Sequence, residues 1–147
     1  MAWIAITEAL VLTRISGAEL EGFRAAALGS GQADPVQPAI DQVTNLVRGY
    51  VAACASNVLG DDGKIPDKLL GAALDMLVID IPKRAAGIVL DPTDERAKAY
   101  TRAVRLLERV ADCKFAIDDP TTGETSTPTP SFSGRDRKFT HETEEGI

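Results

Sequence analysis

The chain's only histidine is His141. Hydrolases of the Ser-His-Asp or Cys-His kind need an imidazole held rigidly beside the nucleophile. His141 stands in a run of threonine, serine, proline and charge, so it reads as a solvated tail residue. Asp61-Asp62-Gly63, with Asp67 beyond, suggests a calcium loop. An EF-hand needs alternating oxygen ligands and a closing glutamate at its twelfth position. Here the aspartates are adjacent and Ala72 holds that position, so a turn ahead of a proline-started helix is the better reading. Asp75, Asp80, Glu95, Glu108 and Asp112 contain no Glu-x-x-His pattern of a di-metal bundle. Gly29-Ser30-Gly31 lacks the lysine and the preceding strand of a phosphate loop. Cys54 and Cys113 lie far apart, each within a helical pattern, and read as small buried hydrophobes and not as a disulfide or metal pair. No catalytic residue, metal ligand or cofactor site is expected, and nothing speaks for an enzyme.

Two surface patterns remain. Lys98, Arg102, Arg105 and Arg109 recur at steps of four, three and four, which on a helix makes one basic stripe. It is either an ordinary solvated face or a contact for an acidic partner, another copy of the chain, or passing DNA. The second pattern is Ser131-Phe132-Ser133-Gly134-Arg135-Asp136-Arg137-Lys138-Phe139. Phe132 and Phe139 flank Arg135 and Arg137, and aromatic anchors with arginine are what a small docking segment needs. The alternative is a plain polar linker.

The elements that must position these residues are helical. Hydrophobic residues make up 44% of the chain and aromatics only 5%, which favours close-packed helices over a sheet. The net charge of −6 excludes nucleic-acid binding through overall charge. No leader peptide or membrane span is expected. Residues 2–6 form a short apolar, extended start, and Thr7 can cap a short helix through Leu12. Ser16-Gly17-Ala18-Glu19 matches a capping box ahead of Leu20, Phe23 and Ala27, and Gly29-Ser30-Gly31 ends that helix. Asp34-Pro35 opens the clearest helix. Its stripe of Val36, Ile40, Val43, Val47, Tyr50 and Cys54 predicts a run to about Leu59. Pro66 is expected to open the next helix, with Leu69, Leu70, Ala73, Leu74, Leu77, Val78 and Ile81 apolar, and Pro82 to kink or end it. The last helix starts at Asp91 or Thr93 and ends near Lys114. Ala97, Tyr100, Val104, Leu107 and Ala111 form its seam, and Phe115 and Ile117 anchor it just beyond.

The predicted architecture is therefore all-α: a small bundle of four to five helices over residues 1–117. An extended C-terminal tail, 118–147, buries too little to offset its ordering entropy and would take up structure on a partner.

Several features together resemble a known family: the Ile6-Thr7-Glu8-Ala9-Leu10 helix start, the long helix through Ala39-Ile40-Asp41-Gln42-Val43 and Val47-Arg48-Gly49-Tyr50-Val51, Ile65-Pro66, and the Ala97, Tyr100, Val104, Leu107 spacing. Over about residues 1–117 the chain resembles the Mu-like phage head-to-tail connector (adaptor) proteins. The resemblance implies a structural virion protein of the particle neck, assembled in the host cytoplasm. It would form a homo-oligomeric ring, commonly of about twelve subunits, below the portal protein. DNA would thread the lumen, and a stopper or tail-completion protein would follow. By position, the C-terminal tail would anchor the ring, while the basic stripe would face DNA, portal or a sister subunit. A second reading is a small helical regulatory module whose tail folds on a partner protein.

Overall fold

The computed structural model describes residues 3–86, 91 and 93–120. Five helices carry the fold: α1 (Glu8–Val11), α2 (Gly17–Gly29), α3 (Val36–Ala53), α4 (Leu70–Ala86) and α5 (Glu95–Ala111). The expected helical bundle is thus present. α4 is its centre and packs against α1, α2, α3 and α5, as its wide apolar face requires. Met76, Leu77 and Ile81 of α4 meet Val43, Val47 and Val51 of α3 and Leu107 of α5 in the core.

Local signals start α2 and α3 at Ser16 and Asp34, as the sequence placed them, while α5 starts at Asp94, a little after the expected Asp91 or Thr93. The Ser16 hydroxyl accepts from the Glu19 amide at 3.2 Å. Asp34 accepts from the Val36 amide at 3.0 Å, and Asp94 from the Arg96 amide at 2.8 Å. Each satisfies one of the amide donors a helix start leaves unpaired. Thr7 sits at the head of α1 in extended conformation but makes no side-chain cap bond.

Three expectations need correction. First, Lys64–Pro66 does not open a helix. It is a strand, β2, paired antiparallel with β1 (Trp3–Ala5) in the register Trp3 to Pro66 and Ala5 to Lys64. A 3-10 turn over Asp67–Leu69 then leads into α4. Pro66 ends a strand of a two-stranded ribbon, where each strand has an open edge and proline is tolerated.

Second, α3 stops at Ala53, short of Leu59. Cys54 takes an extended backbone conformation, and Asn57 caps the helix end by donating to the Val51 carbonyl at 3.2 Å. Residues 54–63 turn the chain back toward β1. α4, in contrast, runs through Pro82 to Ala86, losing one backbone bond without ending.

Third, Cys54 and Cys113 are not separate core residues. They form a disulfide, with Cα atoms 5.3 Å apart and 59 residues between them in sequence. Cys54 is the C-cap of α3, and Cys113 lies just past α5 in left-handed conformation (φ 59°). The two helices pack together with their C-terminal ends side by side. Such an arrangement carries no sequence period.

Candidate functional site

The α5 stripe lies where its spacing put it. Lys98, Arg102, Arg105 and Arg109 are all exposed, opposite the buried Ala103, Leu107 and Val110. Tyr100 and Val104 are half-buried against the core. Lys98 pairs with Glu95 at 3.1 Å. Arg102, Arg105 and Arg109 have no ion pair among the described residues. The tail candidates Phe132, Arg135, Arg137 and Phe139, like His141, lie outside the described residues.

Other arginines are taken up inside the molecule. Arg24 on α2 meets Glu8 of α1 at 2.7 Å, Glu21 at 2.9 Å and Asp34 ahead of α3 at 3.1 Å. One guanidinium thus ties three segments. Its bond to Glu8 holds that carboxyl below the usual glutamate range. Arg96 at the start of α5 grips Glu19 of α2 through both carboxylate oxygens, at 2.6 and 3.0 Å. That grip lowers the Glu19 pKa, and it explains why Glu19 does not reach back to close the capping box. Arg14 meets Asp75 at 3.0 Å.

Arg48 is the residue that sequence spacing missed. From α3 it donates to the carbonyls of Asp61 (2.8 Å), Lys64 (2.7 Å) and Gly60 (3.1 Å), and it meets Asp62 at 3.3 Å. Its guanidinium also stands 5.7 Å from the Trp3 ring centre, within cation–π range. Lys64 pairs with Asp61 at 2.7 Å and lowers its pKa. The acidic turn is therefore met by cations of its own chain. Among the described residues no group of three His, Cys, Asp or Glu side chains converges as a metal ion would need.

The chain leaves the bundle along a strap that crosses back to β1. Phe115 and Ile117 pack against the core. Trp3 Nε1 donates to the Asp118 carbonyl at 3.2 Å, and Lys68 pairs with the Asp118 carboxylate at 2.9 Å. Tail residues 121–147 start from this end of the molecule. Between α4 and α5 lies a cleft of about 270 Å³ lined by Arg14, Asp75, Val78, Glu95, Arg96, Ala99 and Arg102. It is mixed in charge, and its Arg14 and Arg96 are already paired. Asp80 of α4 is half-buried, and burial pushes its pKa up despite Arg84 and Lys83 on the same helix.

No described helix is long and apolar enough to cross a membrane. No curated protein and no solved structure matches the chain significantly. A phage protein family does, described as Bacteriophage Mu, Gp36, and it matches residues 6–134. The match spans the whole bundle, the strap and part of the tail, so the chain belongs to the bacteriophage Mu Gp36 family.

Proposed function

We propose that this phage protein is a head-to-tail connector, a structural component of the virion neck and not an enzyme. Subunits would close a ring below the portal protein, with DNA passing through the lumen and a stopper or tail-completion protein on the far side. Residues 121–147 would anchor the ring through Phe132, Arg135, Arg137 and Phe139. One observation carries this reading: Arg102, Arg105 and Arg109 form an exposed cationic row with no ion pair among the described residues, on a chain of net charge −6. The chain has many carboxylates and uses several on Arg14, Arg24 and Arg96. A row left unmatched suits an acidic surface outside the subunit. Head-to-tail contacts between copies of an acidic chain supply such a surface, and so does DNA in the lumen. Membership in a phage Mu family supports the setting.

The test is particle mass. The full-length chain mixed with the portal protein of its phage is expected to form a ring or join the portal particle. Arg102→Glu, Arg105→Glu and Arg109→Glu together should abolish assembly while leaving helicity intact. Deletion of 121–147 should leave a folded bundle that no longer attaches. A small defined complex with a non-virion protein, and no assembly with portal, would instead point to a regulatory module.

A further inference from the structure

The disulfide is asymmetric. Cys54 is buried, with 2% of its surface exposed, whereas Cys113 is exposed. Thiol–disulfide exchange requires a thiolate to reach one sulfur and displace the other. Of the two residues, Cys113 is the one in contact with solvent. The backbone points to the same residue. Cys113 holds the left-handed turn that closes α5, with its amide bonded to the Val110 carbonyl at 3.1 Å and the Lys114 amide to the Arg109 carbonyl at 2.8 Å. Glycine is the ordinary occupant of such a cap, and a residue with a Cβ is disfavoured there by about 1 kcal/mol. The sulfur, not the turn, accounts for a cysteine at this position.

We propose that Cys54–Cys113 is a thiol–disulfide exchange site: low-molecular-weight disulfides close it and low-molecular-weight thiols open it. Cys113 is the sulfur that meets the reagent, and Cys54 is the buried resolving partner. In closing, the Cys113 thiolate attacks a reagent disulfide, forms a mixed disulfide and releases one reagent thiol. The Cys54 thiolate then attacks Cys113 Sγ and expels the second. Two protein thiols are oxidised, one reagent disulfide is reduced to two thiols, and the two protons leave with them. Opening is the reverse, with Cys54 as the leaving thiolate. Ser56 Oγ lies 3.0 Å from Cys54 Sγ; a disulfide sulfur carries no proton, so the hydroxyl donates and is in place to receive the departing thiolate.

The bond fixes the root of the strap. Residues 114–120 begin at Cys113 and are held at their far end by Trp3 and Lys68. Opening the disulfide removes the covalent hold on the near end, which Phe115 and Ile117 still pack against the core, and the chain's single tryptophan, Trp3, reports on the far end.

The experiment uses the full chain with oxidised and reduced glutathione. Reduced protein given oxidised glutathione should lose the mass of two hydrogens, through a mixed disulfide that peptide mapping finds on Cys113. Trapped as single variants, Cys54→Ser should take glutathione on Cys113 at least about tenfold faster than Cys113→Ser takes it on Cys54, and denaturant should erase the difference. The unsubstituted protein should melt about 10 °C higher oxidised than reduced, because the link closes a long loop. Equal native rates at the two thiols would overturn the assignment. So would two thiols that stay alkylatable after oxidised glutathione, or one melting temperature for both forms.

Discussion

Arg48 and Arg105 are the same side chain on two neighbouring helices, and the fold uses them in opposite ways. Arg48 has 13% of its side chain exposed and spends its donors on three backbone carbonyls and a carboxylate. It holds the 60–64 turn against α3 and covers Trp3. Arg105 stands in solvent with Arg102 and Arg109 and has no ion pair among the described residues. The first arginine serves the subunit's stability. The second meets no carboxylate among the described residues. Arginine content thus says little about what a helix is for; what decides is whether each guanidinium finds acceptors within its own chain.

The largest effect should follow removal of the inward arginine. Arg48→Ala leaves the carbonyls of Gly60, Asp61 and Lys64 without their shared donor. Hydrogen bonds to a charged group are each worth about 1.5–3 kcal/mol, and the turn can recover part through water. A net loss of about 3 kcal/mol is expected in chemical denaturation, with a shift in Trp3 emission as the ring loses its cover. Gly60→Ala probes the same hub sterically. An added Cβ would lie 2.7 Å from Trp3 Cδ2 and 2.9 Å from Cε3, so the turn or the ring must move. About 2 kcal/mol is expected, in the range of overpacking in a tight site. If both variants melted like the parent, Arg48 would be no more structural than Arg105, and the contrast would fail.

How far the sequence led follows from the same contrast. The α5 row was legible because four cations at helical steps need no tertiary knowledge to share a face. The starts at Ser16 and Asp34 were legible because a cap bonds within three residues. In the sequence Arg48 is one more position in a helix pattern, because its acceptors are backbone carbonyls 12 to 16 residues away and every residue type supplies those. The Glu19–Arg96 grip spans 77 residues and the disulfide 59. Neither leaves a local trace. β2 is not legible in the sequence because three residues are too few to show alternation, while proline ahead of an apolar run has the pattern of a helix start. Within the proposed site, the cationic row and its exposure were thus readable. The two holds on the strap, at Cys113 and at Asp118, were not.

A smaller effect of opposite sign is expected at Asp80, a charge neither fully paired nor fully solvated. Burial raises its pKa above the ordinary 3.8, with Arg84 and Lys83 opposing. Below pH 3.8 the carboxyl is protonated folded or unfolded and costs nothing. As pH rises through the folded value, the native state must ionise a half-buried group, and stability falls. Asp80→Asn should therefore stabilise the protein at neutral pH by about 0.5 kcal/mol, the loss of attraction to Arg84 limiting the gain. Melting temperatures of parent and variant should converge as the pH drops below 3.8. The half-buried Tyr100, whose pKa is raised first by burial and then by the Asp80 charge, should titrate lower in the variant.

The smallest expected change is the most informative about the outward row. Arg105→Ala removes a solvent-facing cation that no described carboxylate meets, and alanine is at least as good a helix former. Surface changes of this kind stay within about 0.5 kcal/mol, so its denaturation curve should overlay the parent's. Arg96→Ala, nine residues earlier on the same helix, severs the two-oxygen grip on Glu19. That grip is about a third exposed on both sides, so its loss should cost no more than about 1 kcal/mol. The pair of variants divides α5 by function. If Arg105→Ala leaves stability untouched and weakens assembly, while Arg96→Ala lowers stability and leaves assembly intact, the row is an intersubunit or DNA-facing surface. A stability loss at Arg105 equal to that at Arg96 would show that the outer row has an intramolecular role after all, and the difference between Arg48 and Arg105 would be one of degree.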